Sequence, residues 1–234
     1  IQADLKTFSA LGVYGATAIT AITAQNTQGV ISQQALSPQM VYEQITAVVD
    51  DLSPKVIKIG MLSNVDIVHA VANALSQYSL TIILDPVMVS SSGHRLLSFE
   101  GQDALKEKLL PMATLITPNI PEMEALTGMS LTTFDEKQKA AHYLIDSGSK
   151  AILLKGGHEE GDIKTDILYS VHEGEMQIDT FASDTIPSKN IHGTGCTLSS
   201  AIAALMARGY ALPNAVSEAK RYVSEAIRSG ADIK

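Results

Sequence analysis

Short apolar runs alternate with longer amphipathic stretches along most of the chain. Residues 2–11 place Leu5, Phe8 and Leu11 at helical spacing, and Gly12 marks a stop. The segment 15–24, GATAITAITA, is rich in Thr, Ile and Ala and suits a mostly buried strand, while its Ala content leaves a helix open. Ser37 and Pro38 then open a helix to about Asp51, with Ser as the cap and Pro in the first helical position. Further strands are expected over 55–60, 80–85, 114–117 and 151–155, and helices over 64–75, 101–110, 119–127 and 135–147. Strands that are apolar on both faces need cover on both, so this rhythm predicts a mostly parallel sheet in an α/β layer fold. Residues 166–181 break the rhythm with two β-rich runs around His172-Glu173-Gly174, the pattern of a hairpin. Helices over 196–208 and 213–228 close the chain. No linker or internal repeat divides it, so residues 1–234 are expected to form one domain.

Composition narrows the function. Acidic residues number 25 against 17 basic ones, a net charge of −8, which disfavours sequence-independent binding to nucleic acid. The single cysteine, Cys196, excludes an intrachain disulfide and any cysteine-cluster zinc site. No apolar stretch approaches the ~18–20 residues of a membrane span, and the N-terminus carries no signal-like region. A cytoplasmic protein without nucleic-acid or membrane partners is expected.

In open parallel sheets, ligands bind beyond the C-terminal ends of the strands, and the segments there are distinctive. The richest is Gly193-Thr194-Gly195-Cys196, which leads straight into an apolar helix. Unpaired N–H groups and the helix dipole favour an anion at such a start, and glycines let it approach the backbone. Cys196 would lie in the first turn, where the same field lowers a thiol pKa; it can equally be an inert core cysteine. Asp85 and Glu122 each follow a strand in a Pro-containing turn, and two such carboxylates could converge on Mg²⁺. Each also has a plain reading, as a turn cap and as a first-turn helix acid. Gln25 offers an amide that can donate and accept at once, matching an amino-substituted ring nitrogen, or can satisfy a loop. His192, beside the glycines, is a catalytic group or a packing one; the other histidines lack metal-ligand spacing. Met61 is core or pocket wall. Lys155, before Gly156-Gly157, could touch phosphate or merely end a strand.

Taken together, IQADLKTF, TAQNT, KIGML, DPVM, TPNIPE, KGGH and HGTGCTLSSA resemble, in this order and spacing, the hydroxymethylpyrimidine/phosphomethylpyrimidine kinases of thiamin biosynthesis, a branch of the ribokinase superfamily. The resemblance covers essentially the whole chain. It implies a ribokinase-like three-layer fold and ATP-dependent phosphorylation of 4-amino-5-hydroxymethyl-2-methylpyrimidine, then of its monophosphate. By the same resemblance, Gln25, Asp4 and Met61 belong to the pyrimidine pocket. Gly193, Thr194 and Gly195 form the anion hole, and Cys196 stands where most ribokinase relatives carry an Asp base. Asp85 and Glu122 match the Mg²⁺ acids, while Asn119, Lys155, Gly156, Gly157, His158, Asp166 and Lys220 align with nucleotide-contacting positions. A homodimer is implied as well.

The family pattern also contains an apolar strand and a glycine-rich loop ahead of the IQAD helix, and a Gly-His-Gly-Pro tail. Both are missing from this sequence, which leads to the expectation that Ile1 is not the natural start. Pyridoxal kinase is the nearest alternative, disfavoured because pyridoxal lacks the edge that Gln25 would read. A non-catalytic ligand-binding homologue is a remoter one, and the joint presence of Asp85, Glu122, Lys155 and Cys196 argues against it.

Overall fold

A computed structural model of the chain describes residues 1–26, 28–90, 93–157, 161–188 and 193–230. Its frame is a six-stranded sheet in the order β3 (Val56–Ile59), β4 (Thr81–Leu84), β5 (Leu115–Ile116), β6 (Ala151–Leu154), β7 (Ile163–His172), β8 (Glu175–Asp184). The first four strands run parallel. β7 and β8 are antiparallel additions. The turn between them is Glu173-Gly174, with φ of 53° and 83°, the pair of positive angles that a tight hairpin needs.

The apolar strands divide their side chains between two cores. Ile82, Leu84, Ile116, Ile152, Leu154 and Tyr169 face one core, while Ile83, Leu115, Ala151, Leu153 and Leu168 face the other. The first core is walled by α2 (Pro38–Leu52), α3 (Val65–Leu75), α5 (Ile120–Thr127) and α6 (Phe134–Asp146), with α4 (Phe99–Ala104) at its margin. The second is walled by α7 (Thr194–Ala207) and α8 (Leu212–Ser229), with α1 (Gln2–Ala10) laid against α7. Helices therefore cover both faces, as the double-sided strands require. α2 starts as read, on Ser37 Oγ, which accepts the Met40 N–H at 3.2 Å. The expected helix over 101–110 instead starts at Phe99 and changes after Ala104 into a π-turn, Leu105–Leu109, and a 3₁₀ turn at Leu110–Met112 containing Pro111.

One expectation fails. The segment 15–24 is not a buried strand of the main sheet. Only β1 (Ala21–Gln25) is extended and paired, and its partner is β2 (Val30–Ala35), in a separate antiparallel ribbon. Ile22 and Ile31 remain 60% and 78% exposed there. The polar β2 sequence, VISQQA, gives the ribbon little apolar surface to bury. Just before β1, the Gln44 amide takes both backbone groups of Ile19, accepting its N–H at 2.9 Å and donating to its carbonyl at 3.0 Å. A side chain thus substitutes for the strand neighbour that a ladder would supply. Among the described residues, no helix is long and apolar enough to cross a membrane.

Candidate active site

Gly193, with a φ that suits a residue without Cβ, is the N-cap of α7, and among the described residues no side chain caps that start. Thr197 closes the first turn, donating its N–H and its hydroxyl to the Gly193 carbonyl, each at 2.8 Å. Gly195 faces Lys155: a Cβ at 195 would lie 3.5 Å from Lys155 Nζ. A helix start with a glycine beside a lysine ammonium has the chemistry to receive an anion.

The strand ends beneath it supply a knot of charges. Asp85, directly after β4, is buried, and Lys155, directly after β6, donates to its Oδ1 at 3.0 Å. Thr117, after β5, donates to the same oxygen at 3.2 Å. Ser199 Oγ lies 3.2 Å from Asp85 Oδ2 and 3.1 Å from the carbonyl oxygens of Gly195 and Cys196. Burial works against ionisation of Asp85, but the ammonium groups of Lys155 and Lys58 outweigh it and hold the carboxyl below its usual range. Lys155 also sits 3.7 Å from Glu122 Oε2. Despite its burial, the two carboxylates keep it firmly charged.

Glu122 belongs to the capping box of α5. Asn119 Oδ1 accepts the Glu122 N–H and Glu122 Oε2 accepts the Asn119 N–H, both at 2.8 Å. Its Oε1 takes no hydrogen bond among the described residues. Burial pushes this carboxyl above its normal pKa; the Lys155 ammonium opposes that push and the Asp85 carboxylate adds to it, and burial prevails.

A second knot lies on the α1 side. Lys58, in the middle of β3, donates to Asp4 Oδ1 at 3.0 Å, and Ser200 donates to the same oxygen at 2.6 Å. Lys58 is opposite Ile83 in the sheet, so it fills a core position on the face packed by α7. The sequence reading missed this residue. The signal was present, because a Lys between Ile57 and Ile59 is either solvent-facing or a buried charge with a partner.

Cys196 lies about one helical turn before Ser199 and Ser200, which bond to the acids of the two knots. The helix start was expected to make it more acidic, and the opposite holds. Burial raises its pKa, Asp85 and Asp4 raise it further, and the nearby Lys58 and Lys155 offset only part of this.

The residues expected at the nucleotide fall into two groups. Lys155, Gly156 and Gly157 form the strand end, with Gly157 exposed. Asp166 and Lys220 are buried and paired with each other, Lys220 Nζ to Asp166 Oδ2 at 2.8 Å. Asp166 Oδ1 accepts the Gly156 N–H at 2.8 Å, so this pair braces the glycine loop from behind. His158, His192 and Thr27 lie outside the described residues. Gln25 ends β1 and is exposed, with no hydrogen bond from its amide to either knot among the described residues. Met61 is half-buried in the loop after β3, and its carbonyl accepts the Thr20 hydroxyl at 2.7 Å.

The sequence profile of the phosphomethylpyrimidine kinase family matches residues 1–234. A hydroxymethylpyrimidine/phosphomethylpyrimidine kinase of Rhizobium meliloti (strain 1021) is 46% identical over 233 residues, 99% of this chain and 86% of that protein. The crystal structure of a phosphomethylpyrimidine kinase from Clostridium difficile 630 is similar with a TM-score of 0.83 at 41% identity, covering 97% of this chain and 92% of that one. The ADP complex of a Bacillus subtilis pyridoxal kinase is similar with a TM-score of 0.89 at 33% identity, covering 100% and 88%. The glycine start of α7, the lysine-bridged acids and the match along the whole chain agree: this chain belongs to the phosphomethylpyrimidine kinase family.

Proposed function

We propose that the chain transfers the γ-phosphoryl group of ATP to the hydroxymethyl oxygen of the aminopyrimidine, and then a second phosphoryl group to the resulting monophosphate. The observation that carries this reading is the glycine-led start of α7 facing Lys155, with Cys196 in its first turn. Phosphoryl transfer asks for positioning and for charge stabilisation at the phosphate oxygens, and this arrangement supplies both.

In the first step the Cys196 thiolate takes the hydroxymethyl proton. The oxygen forms a bond to the γ-phosphorus as the bond to the β–γ bridging oxygen breaks, and ADP leaves. The backbone at Gly193, Thr194 and Gly195, together with Lys155, receives the charge on the transferring group. In the second step the attacking oxygen belongs to a phosphate that is already ionised, so no base is needed.

Mg²⁺ fits this donor set in a restricted way. Among the described residues no group of three or more His, Cys, Asp or Glu could hold a metal by itself. Mg²⁺ characteristically keeps waters and uses one or two carboxylates plus substrate phosphates. Glu122 offers for that purpose its Oε1, which takes no hydrogen bond among the described residues. Asp85, expected as a second ligand, has its oxygens engaged by Lys155, Thr117 and Ser199, and in our reading its task is to hold Lys155. When bound with the nucleotide, Mg²⁺ would neutralise phosphate charge.

Gln25 and Met61 border the pyrimidine, and Asn119 together with Gly156 and Gly157 borders the nucleotide, steadied by Asp166 and Lys220. Asp4 acts from beneath the pocket through Lys58. The working unit is one domain, acting as a homodimer in the cytoplasm. Turnover on the aminopyrimidine and on pyridoxal, coupled to ADP release, tests the assignment. Preference for pyridoxal would overturn it.

A further inference from the structure

Lys58 enters the scheme above only as the partner of Asp4, yet it is a buried ammonium in a strand whose other residues are Val and Ile. A buried ion pair seldom stabilises more than an apolar replacement, so Lys58 and Asp4 call for a reason other than stability. Three observations locate one. The Lys58 ammonium reaches the C-terminal edge of β3, where a Cβ on Gly60 would come within 2.8 Å of Nζ, so the bare glycine leaves room for it beside the pocket loop. Its partner Asp4 is anchored at 2.6 Å by Ser200, one helical turn after Cys196. The other ammonium near the thiol, Lys155, is already committed to Asp85 and Glu122 and faces the anion site.

We propose that Lys58 is a positioning residue for Cys196: its ammonium, fixed by Asp4, is the counter-charge beside which the thiol ionises before it accepts the substrate proton. Asp4, bonded to Lys58 at 3.0 Å and to Ser200 at 2.6 Å, sets the Lys58 ammonium about one turn of α7 from Cys196; among the described residues the charges acting on the thiol include Asp4 from α1, Lys58 from β3, Asp85 after β4 and Lys155 after β6. Once ATP phosphates engage Lys155, Lys58 is the cation left to the sulfur. The inference rests on Cys196 being the base of the first step.

The test titrates Cys196, the chain's single cysteine, by its iodoacetamide alkylation rate across neutral to alkaline pH, with intact mass as the readout and no turnover involved. Lys58→Met should move the midpoint upward by about one pH unit, leaving about tenfold less thiolate at a given lower pH. Asp4→Asn, which removes a competing carboxylate, should move it downward, and it serves if Lys58→Met does not fold. Either midpoint unmoved in a folded variant, or both displaced in the same direction, overturns the proposal. The pH profile of the first phosphorylation should shift with the Lys58→Met midpoint, whereas the pH profile of the second should keep its shape. If Cys196→Ala leaves the first phosphorylation intact, the base reading fails, whereas the alkylation titration judges Lys58 separately.

Discussion

Ser199 and Ser200 are neighbours on α7, yet they hold carboxylates of two different ion pairs. Ser199 meets Asp85 at 3.2 Å, and Ser200 meets Asp4 at 2.6 Å. One helix thus ties together the Lys155 and Lys58 knots, with Cys196 one turn earlier. Substitutions in this region should separate by which knot they disturb.

Cys196→Ala should depress the first phosphorylation by two or more orders of magnitude, about the contribution of a positioned base, and should leave the second within a few-fold of wild type. Separate assays with the pyrimidine and its monophosphate measure this. Equal losses would remove the base role.

The first step should speed up with pH. Cys196 must be ionised to take a proton, and burial with Asp85 raises its pKa above the ordinary thiol range. The active fraction therefore grows about tenfold per pH unit through neutrality and levels off only at alkaline pH. The second step should show no such slope. Initial rates for both substrates across one pH series check it.

Gly195→Ala separates fold from function. The added Cβ would meet Lys155 Nζ at 3.5 Å, an ordinary contact, so the melting temperature should hold. The methyl group nonetheless occupies the anion approach, and kcat/KM should fall on the order of a hundredfold in both steps.

Asp85→Ala leaves Lys155 buried without its main partner. The expected cost is about 3–5 kcal/mol of unfolding free energy, read by urea denaturation. Pairing it with Lys155→Met should recover much of that stability and none of the activity.

Asp166→Ala should act on the nucleotide rather than on the pyrimidine, with a stability cost besides, since it releases both the buried Lys220 and the Gly156 N–H. A KM for ATP raised about tenfold, with the pyrimidine KM unchanged, is expected from steady-state kinetics.

The sheet and most helices were legible because double-sided apolar strands announce themselves, and the strand-end loops then pointed to Asp85, Glu122, Lys155 and Cys196. Three features were not. β2 has no apolar face by which to recognise it, and its partner β1 was read as core because Thr, Ile and Ala suit either setting. Lys58 was hidden because alternation in VIKIG looks like an exposed edge, and only its register opposite Ile83 and the packing of α7 turn it inward. The acidity of Cys196 was misjudged because a helix start was weighed without the burial and the two carboxylates that surround the sulfur.

From Leu198 to Leu205 every residue of α7 is buried. A helix gripped along that length cannot slide or tilt to suit a new acceptor, so the reactive end is a fixed anvil. Adaptation to a bulkier or smaller ring must be accommodated elsewhere, and the exposed β1–β2 ribbon that carries Gln25 is far less buried than α7. Divergence in substrate choice within this fold is therefore to be sought in the ribbon, with α7 kept as the common tool.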